Sequence, residues 1–421
     1  MSRPGPRRWW PVGRGREGGP ATSSRARWAV GAAVLAIAVA LIGLAVIDRP
    51  GAGAGSPDAD AGGSTRSPVT ELSVRGNQIV DQDGVPIRLL GFNVSGTEYA
   101  CIEDWGIFEG PDEQRTRMLA STVDRMAAWT GANTVRVPLN EQCWLGLGVR
   151  PVYGGASYQG AIRDYVRMLR DRGFVVVLDL HRSAPGSAPS LAQEQMPDRD
   201  HSLDFWREVA TAYKDDTGVV FDAFNEPWPY GEPDSLRAWQ CWRDGGCELV
   251  SQNDGQPYVA AGMDELVTAI RSTGAPNVVA VAGIHWAEML NRWLEYRPTD
   301  PLNNLIASFH NYSYNRYCKD AECYDTVLAE VAAEVPLFAG EIGPDTGDEV
   351  QQIGEECPAS SVRDDGFSER ILDWLDAHGA SYTPWAWNAW DDCYALITHH
   401  RGTPTRIWGE EVRARLARNA Q

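Results

Sequence analysis

Two glutamates stand where short apolar runs end. Residues 218–224 (Gly-Val-Val-Phe-Asp-Ala-Phe) lead into Asn225-Glu226-Pro227, and residues 336–340 (Pro-Leu-Phe-Ala-Gly) lead into Glu341. Apolar runs of this length read as buried parallel strands. An acid that closes such a strand is costly to desolvate unless it serves a purpose. In a barrel of parallel strands the C-terminal ends line one face, and two carboxylic acids gathered there can cleave a glycosidic bond as general acid and nucleophile.

The elements that must position them follow an alternating pattern. Strands are expected at 88–93, 134–138, 175–181, 219–225, 278–282, 305–310, 337–341 and 381–387, and eight is the number that closes a parallel barrel. Helices are expected between them at 115–129, 158–172, 202–214, 263–273 and 368–378, where spacings such as Ala161, Tyr165, Met168 and Leu169 gather apolar groups on one face. Ahead of the barrel, Ile79-Val80 and Val85-Pro86-Ile87 flank Asp83-Gly84, a hairpin turn signal. The expected fold is therefore an α/β, (β/α)8 TIM barrel with an N-terminal β-hairpin. A doubly wound open sheet is the competing architecture, but no glycine-rich phosphate-binding turn follows the first strand.

The N-terminus has a different character. Seven arginines (Arg3, Arg7, Arg8, Arg14, Arg16, Arg25, Arg27) face only Glu17 in the first 27 residues, whereas the whole chain carries −19. Residues 28–47 follow without charge or proline, long enough for one membrane span. The arginine-rich side should stay cytoplasmic, which places everything after it outside the cell. Residues 48–68, rich in Gly, Ala, Ser and Pro, read as a flexible linker, and 69–421 as the barrel domain. The expected topology is a single-pass signal anchor; secretion after signal cleavage in the Ala/Gly run at 51–55 is the alternative.

All eight cysteines (Cys101, Cys143, Cys241, Cys247, Cys318, Cys323, Cys357, Cys393) lie beyond the span, and an even count outside the cell suggests disulfides. They fall in loops at one end of the expected barrel. Cys101 with Cys143 and Cys357 with Cys393 can join adjacent loops, and Cys241 with Cys247 and Cys318 with Cys323 can close local ones, though spacing leaves the connectivity open. No CxxC pair occurs and no histidine clusters with cysteine, so no metal site is expected; adjacent His399-His400 reads as a loop pair. The acidic ectodomain argues against nucleic acid. Seventeen tryptophans hint at a ring-lined ligand cleft. His285-Trp286 is balanced between substrate contact and helix-start packing. The sequons at Asn93 and Asn311 fall at strand ends inside the expected cleft and are discounted.

One ordered set of fragments carries a family resemblance. Arg136 in Asn-Thr-Val-Arg-Val-Pro, His181 in Leu-Asp-Leu-His, Asn225-Glu226-Pro, His310 and Tyr312 in Ser-Phe-His-Asn-Tyr, Glu341 in Ala-Gly-Glu-Ile-Gly, and Trp385 or Trp387 come in this order on successive strand ends. From about Leu72 to about Trp408 the chain resembles glycoside hydrolase family 5, the cellulase family. The resemblance implies Glu226 as acid/base, Glu341 as nucleophile, and a tryptophan at the last strand end flooring the subsite beside the cleaved bond. Trp385 fits that place better than Trp387, which shares its strand parity. Arg136 can pair with Glu341 and keep it ionised, Asn225 can donate to a sugar 2-hydroxyl, His310 and Tyr312 can orient the acids, and His181 can line the same subsite.

The expected activity is that of a monomeric, retaining endo-β-glycanase of polysaccharide catabolism, acting on a β-linked glycan with β-1,4-glucan as first choice and needing no cofactor. The alternatives are a β-mannanase, a glycolipid-cleaving or transglycosylating relative, and a non-catalytic surface carbohydrate-binding protein. Fractionation of cells expressing the full chain checks the anchor: the enzyme should stay with membranes. Mature protein in the medium, beginning between about residues 48 and 68, would identify a cleaved signal instead.

Overall fold

A computed structural model of the protein describes residues 69–344, 366–390 and 393–420. The expected span at 28–47, its linker and Cys357 lie outside these. Among the described residues no helix is long and apolar enough to cross a membrane.

Eight parallel strands form one sheet in chain order: β1 (Gly91–Asn93), β2 (Thr134–Asn140), β3 (Val175–Arg182), β4 (Val219–Asp222), β5 (Val279–Ala282), β6 (Leu305–Asn311), β7 (Leu337–Ile342) and β8 (Ser381–Tyr382). A parallel bridge from Leu90 to Tyr382 closes the sheet into a barrel, reinforced by the Asn93 backbone N–H donating to the Pro384 carbonyl at 2.9 Å. Each expected strand is present. β4 and β8 are shorter than expected because the chain leaves the ladder early to deliver residues to the upper rim, and β1 begins late, at Gly91. At the β1–β2 contact a Cβ on Gly91 would lie 1.7 Å from the Thr134 carbonyl oxygen, so only glycine fits there.

Strand alternation sorts the side chains into two populations. Val135, Val137, Val176, Leu178, Phe221, Val279, Val281, Ala307 and Phe309 face outward and pack with the helices, among them Ala156–Arg170, which buries Tyr158, Ile162, Tyr165, Val166 and Leu169. That face is rotated by about one position from the expected one: Ala161 and Met168 sit half-buried at its edge. The inward population changes character along the barrel. At the N-terminal end it is apolar, with Val175, Val177, Val220, Ala280, Ile306 and Phe338 packing against Val69, Leu72, Ile79 and Ile87. The last three of these belong to or adjoin an antiparallel sheet of Ser73–Arg75, Gln78–Val80 and Pro86–Ile87, so the expected hairpin carries an additional strand. At the C-terminal end the inward residues become Arg136, Asp179, Asp222, Ser308 and His310, all fully buried.

The expected helix at 115–129 is confined to Ala120–Ala127, following a 3-10 turn at Asp112–Gln114. Sequence periodicity did not show the helices Leu236–Asp244 and Trp408–Asn419 or the small hairpin pairing Glu248–Val250 with Pro257–Val259. Cys101–Cys143, Cys241–Cys247 and Cys318–Cys323 form disulfides, as the loop positions suggested. Cys393 is also disulfide-bonded, and its expected partner Cys357 falls outside the described residues.

Candidate active site

The inner wall's polar end is organised around one guanidinium. Arg136, on β2, donates through Nε to Asp222 Oδ2 at 2.9 Å, through Nη1 to Asn93 Oδ1 at 3.0 Å and Glu341 Oε1 at 2.9 Å, and through Nη2 to Asn225 Oδ1 at 2.8 Å. Nη2 also lies 3.1 Å from Asp179 Oδ2. Burial would lower the Arg136 pKa, but Asp179, Asp222 and Glu341 more than reverse this, so it stays charged. Burial pushes the Asp179 and Asp222 carboxyls up against the pull of Arg136. Both carboxyls thus stand above the usual carboxylate range, at about 7.

Glu341 ends the inward run of β7 and is 5% exposed. Its Oε1 accepts from Arg136 and its Oε2 from the Tyr312 hydroxyl at 2.6 Å. Glu226 follows β4, with a side chain 17% exposed. His310 Nδ1 stands 2.8 Å from Glu226 Oε1 and 3.7 Å from Glu341 Oε2, between the two acids. Burial raises Glu226 to about 8, although Arg136 and Gln193 pull it down. Burial lowers His310 to about 3, so this imidazole is neutral at physiological pH. The pair has one acid kept protonated and another held by a cation and a phenol, which is the division of labour that acid and nucleophile need.

The remaining expected residues arrive in the same place, with one exception. His181 Nδ1 lies 2.7 Å from Asp179 Oδ2, and burial lowers the ring to about 4. Asn225 Nδ2 donates to Gln193 Oε1 at 3.2 Å, and Gln193 Nε2 donates to the Glu226 carbonyl at 2.9 Å, fixing the Asn-Glu step from a neighbouring loop. Trp385 stacks on His181 with centroids 5.6 Å apart and 20° between planes. Trp387 is the exception: it packs into the core on Phe92 at 4.7 Å and Trp129 at 4.8 Å, away from the acids. The shared parity of Trp385 and Trp387 assumed an extended strand, but β8 pairs only over Ser381–Tyr382.

Several site residues escaped the sequence reading. Asp179 lies two residues before His181 and Asp222 four before Glu226, each an acid inside an apolar strand, a signal that was visible and unused. Trp228 and Trp286 form a stacked pair beside the acid, centroids 4.5 Å apart at 14°. Trp286 belongs to a left-handed turn in which His285, Trp286 and Ala287 have φ of 57°, 61° and 58°. This is not the helix start that was one of the two sequence expectations, and such backbone strain marks functional loops. The sequon asparagines are buried and committed: Asn93 Nδ2 donates to the Gly340 and Thr383 carbonyls at 2.8 and 2.6 Å, and Asn311 Nδ2 to the Cys318 carbonyl.

Glu226, His310 and Glu341 offer donor atoms that lie within 4.8 Å of one another. A cation there would compete with Arg136 and the Tyr312 hydroxyl for both oxygens of Glu341, so these residues suit a hydrogen-bonded acid pair better than a metal centre.

The titration of Glu226 gives a stability test. A carboxyl raised from 4.5 to about 8 binds its proton more tightly in the folded state, so stability falls as pH rises between those values. Glu226→Gln, which has no charge to bury, should be more stable than the wild type above pH 8 by up to a few kcal/mol, the gap closing toward pH 4.5. Urea denaturation across this range measures it; a gap independent of pH would mean that Glu226 is not raised.

Residues 80–391 match the family model Cellulase (glycosyl hydrolase family 5). Endoglucanase MaCel5A of Microbulbifer sp. (strain ALW1) is 23% identical over 352 residues, which are 80% of this chain and 55% of that protein. Endoglucanase E-5 of Thermobifida fusca is 21% identical over 358 residues, 83% of this chain and 62% of its own. The chain thus spans little more than half the length of these curated relatives. A β-glucanase of Saccharophagus degradans, solved in complex with cellotetraose, is similar with a TM-score of 0.61 at 20% identity over 83% of this chain and 94% of that one. The catalytic domain of Thermobifida fusca endoglucanase Cel5A has a TM-score of 0.55 at 19% identity, covering 83% and 97%. At these identities the structural likeness is one of fold.

Proposed function

The chain belongs to the cellulase family, glycosyl hydrolase family 5, and is a glycoside hydrolase; from that premise we propose that it is a retaining endo-β-glucanase cleaving β-1,4-glucan outside the cell. One observation carries the mechanism: oxygens of Glu226 and Glu341 lie within 4.8 Å of each other. Inverting enzymes hold their carboxyl groups about 6.5–9.5 Å apart to admit a water, whereas retaining enzymes hold them about 5–5.5 Å apart. The close pair supports direct attack by a carboxylate.

In this reading Glu341 attacks the anomeric carbon while Glu226 passes its proton to the departing glycosidic oxygen, leaving a covalent glycosyl ester on Glu341. Glu226, now ionised, takes a proton from the water that enters, and that water breaks the ester with overall retention. Arg136 and Tyr312 hold Glu341 by separate oxygens and fix its direction of approach. Trp385, stacked on His181, provides the floor beside the cleaved bond, and Asn225 meets the sugar 2-hydroxyl. The choice of glucan is supported by the endoglucanase relatives. Anchoring by residues 28–47, with the barrel outside, remains part of the proposal and rests on the charge asymmetry and span length.

Two kinetic experiments test the roles. Glu226→Gln should lose about 10²–10⁴-fold on substrates with poor leaving groups and far less on activated aryl glycosides, which need no proton in the first step. Equal losses would show that Glu226 is not the acid. Azide should partly rescue Glu341→Gly by replacing the missing nucleophile, giving a glycosyl azide of inverted configuration; absence of rescue together with intact folding would remove Glu341 from that role.

A further inference from the structure

Polar groups that the mechanism leaves unused gather on the inner face of β6 and β7. Ser308 and His310 are two apart on β6, share the inward face and are fully buried. Ser308 Oγ and His310 Nε2 each lack a hydrogen-bond partner among the described residues. Gly340 on the neighbouring strand leaves both facing one space: a Cβ there would stand 3.0 Å from each atom. Those two legs put the atoms no more than about 6 Å apart, a gap that a small rotation or one bridging water closes.

His310 is neutral, so one ring nitrogen carries a proton and the other accepts, and the choice decides what Glu226 can do. With the proton on Nδ1, His310 donates to Glu226 Oε1, and the acid's own proton sits on its other oxygen, free for the leaving group. With the proton on Nε2, Nδ1 becomes an acceptor and draws the Glu226 hydroxyl toward the imidazole. Glu226 at the end of β4, Glu341 on β7, Arg136 on β2 and His181 on β3 are the charged or titratable groups around the ring, and none supplies a donor to Nε2.

We propose that Ser308 is a positioning residue whose hydroxyl donates to His310 Nε2, directly or through one water, and so locks the Nδ1–H tautomer that turns the proton of Glu226 toward the leaving group. This rests on Glu226 being the acid. Nitrogen-15 NMR of the histidine rings reads the tautomer directly, with the His310 signals assigned by their loss in His310→Asn. The wild type should show Nδ1 protonated, and Ser308→Ala should shift the ring toward Nε2–H. The same variant should lose about tenfold in rate on poor leaving groups while keeping its rate on activated aryl glycosides. Ser308→Thr, which retains the hydroxyl, should restore both readings. Should Ser308→Ala fail to fold, Ser308→Cys carries the same test, because a thiol is a weak donor of similar shape. An Nε2–H ring in the wild type, or an Nδ1–H ring that survives in Ser308→Ala, overturns the proposal. Failure of the acid assignment would show separately, as equal losses on both substrate classes in Glu226→Gln, while the tautomer readout would still decide whether Ser308 governs His310.

Discussion

A single buried guanidinium sets the terms for everything at the upper end of this barrel. Arg136 has five N–H groups, and five acceptor oxygens from Asn93, Asp179, Asp222, Asn225 and Glu341 surround them. These residues come from four other strands or their ends, so the contacts hold strands in register as well as acids in place. A lysine would offer one point charge and three donors where the site needs a planar fork. Removing the cation would strand three buried carboxyl groups, a loss of several kcal/mol in comparable buried pairs.

The arrangement tolerates this charge density because the inner wall is graded. Below the Arg136 layer the barrel is filled by Val177, Val220, Ala280, Ile306 and Phe338, and the N-terminal sheet closes that end with Ile79 and Ile87. Above it, Glu226 and the rings of Trp228 and Trp286 reach partial exposure. Burial raises Glu226 to about 8 and lowers His310 to about 3, while Arg136 donates to Glu341 in the same site.

Much of this was legible in the sequence where local pattern and chemistry coincide. Eight largely apolar segments, each five to seven residues long in the expectation, mark the strands because a parallel strand is covered on both faces. Glu226 and Glu341 could be found because each closes such a segment, whereas Arg136, His181, His310 and Tyr312 were legible through the family resemblance of the fragments that hold them. What stayed hidden depends on tertiary context. That Trp387 packs on Phe92 and Trp129 while Trp385 stacks on His181 follows from how the chain leaves β8, which periodicity cannot report. Trp286 acquires its place through a left-handed turn of three non-glycine residues, a conformation that no local preference favours. Gln193, far from the acids in sequence, reaches the Glu226 carbonyl only because two loops meet.

The disulfides described above brace the barrel unevenly. Cys101–Cys143 ties the loop after β1 to the segment after β2, Cys241–Cys247 closes a turn after β4, Cys318–Cys323 closes one after β6, and Cys393 is bonded in the loop after β8. All of them belong to the end that carries the acids. A loop-built cleft ordinarily loses conformational freedom when a chain-like ligand settles into it, and that loss weakens binding. Here the disulfides restrict the rim before any ligand arrives, so a chain-like ligand would have less of the protein left to order on capture.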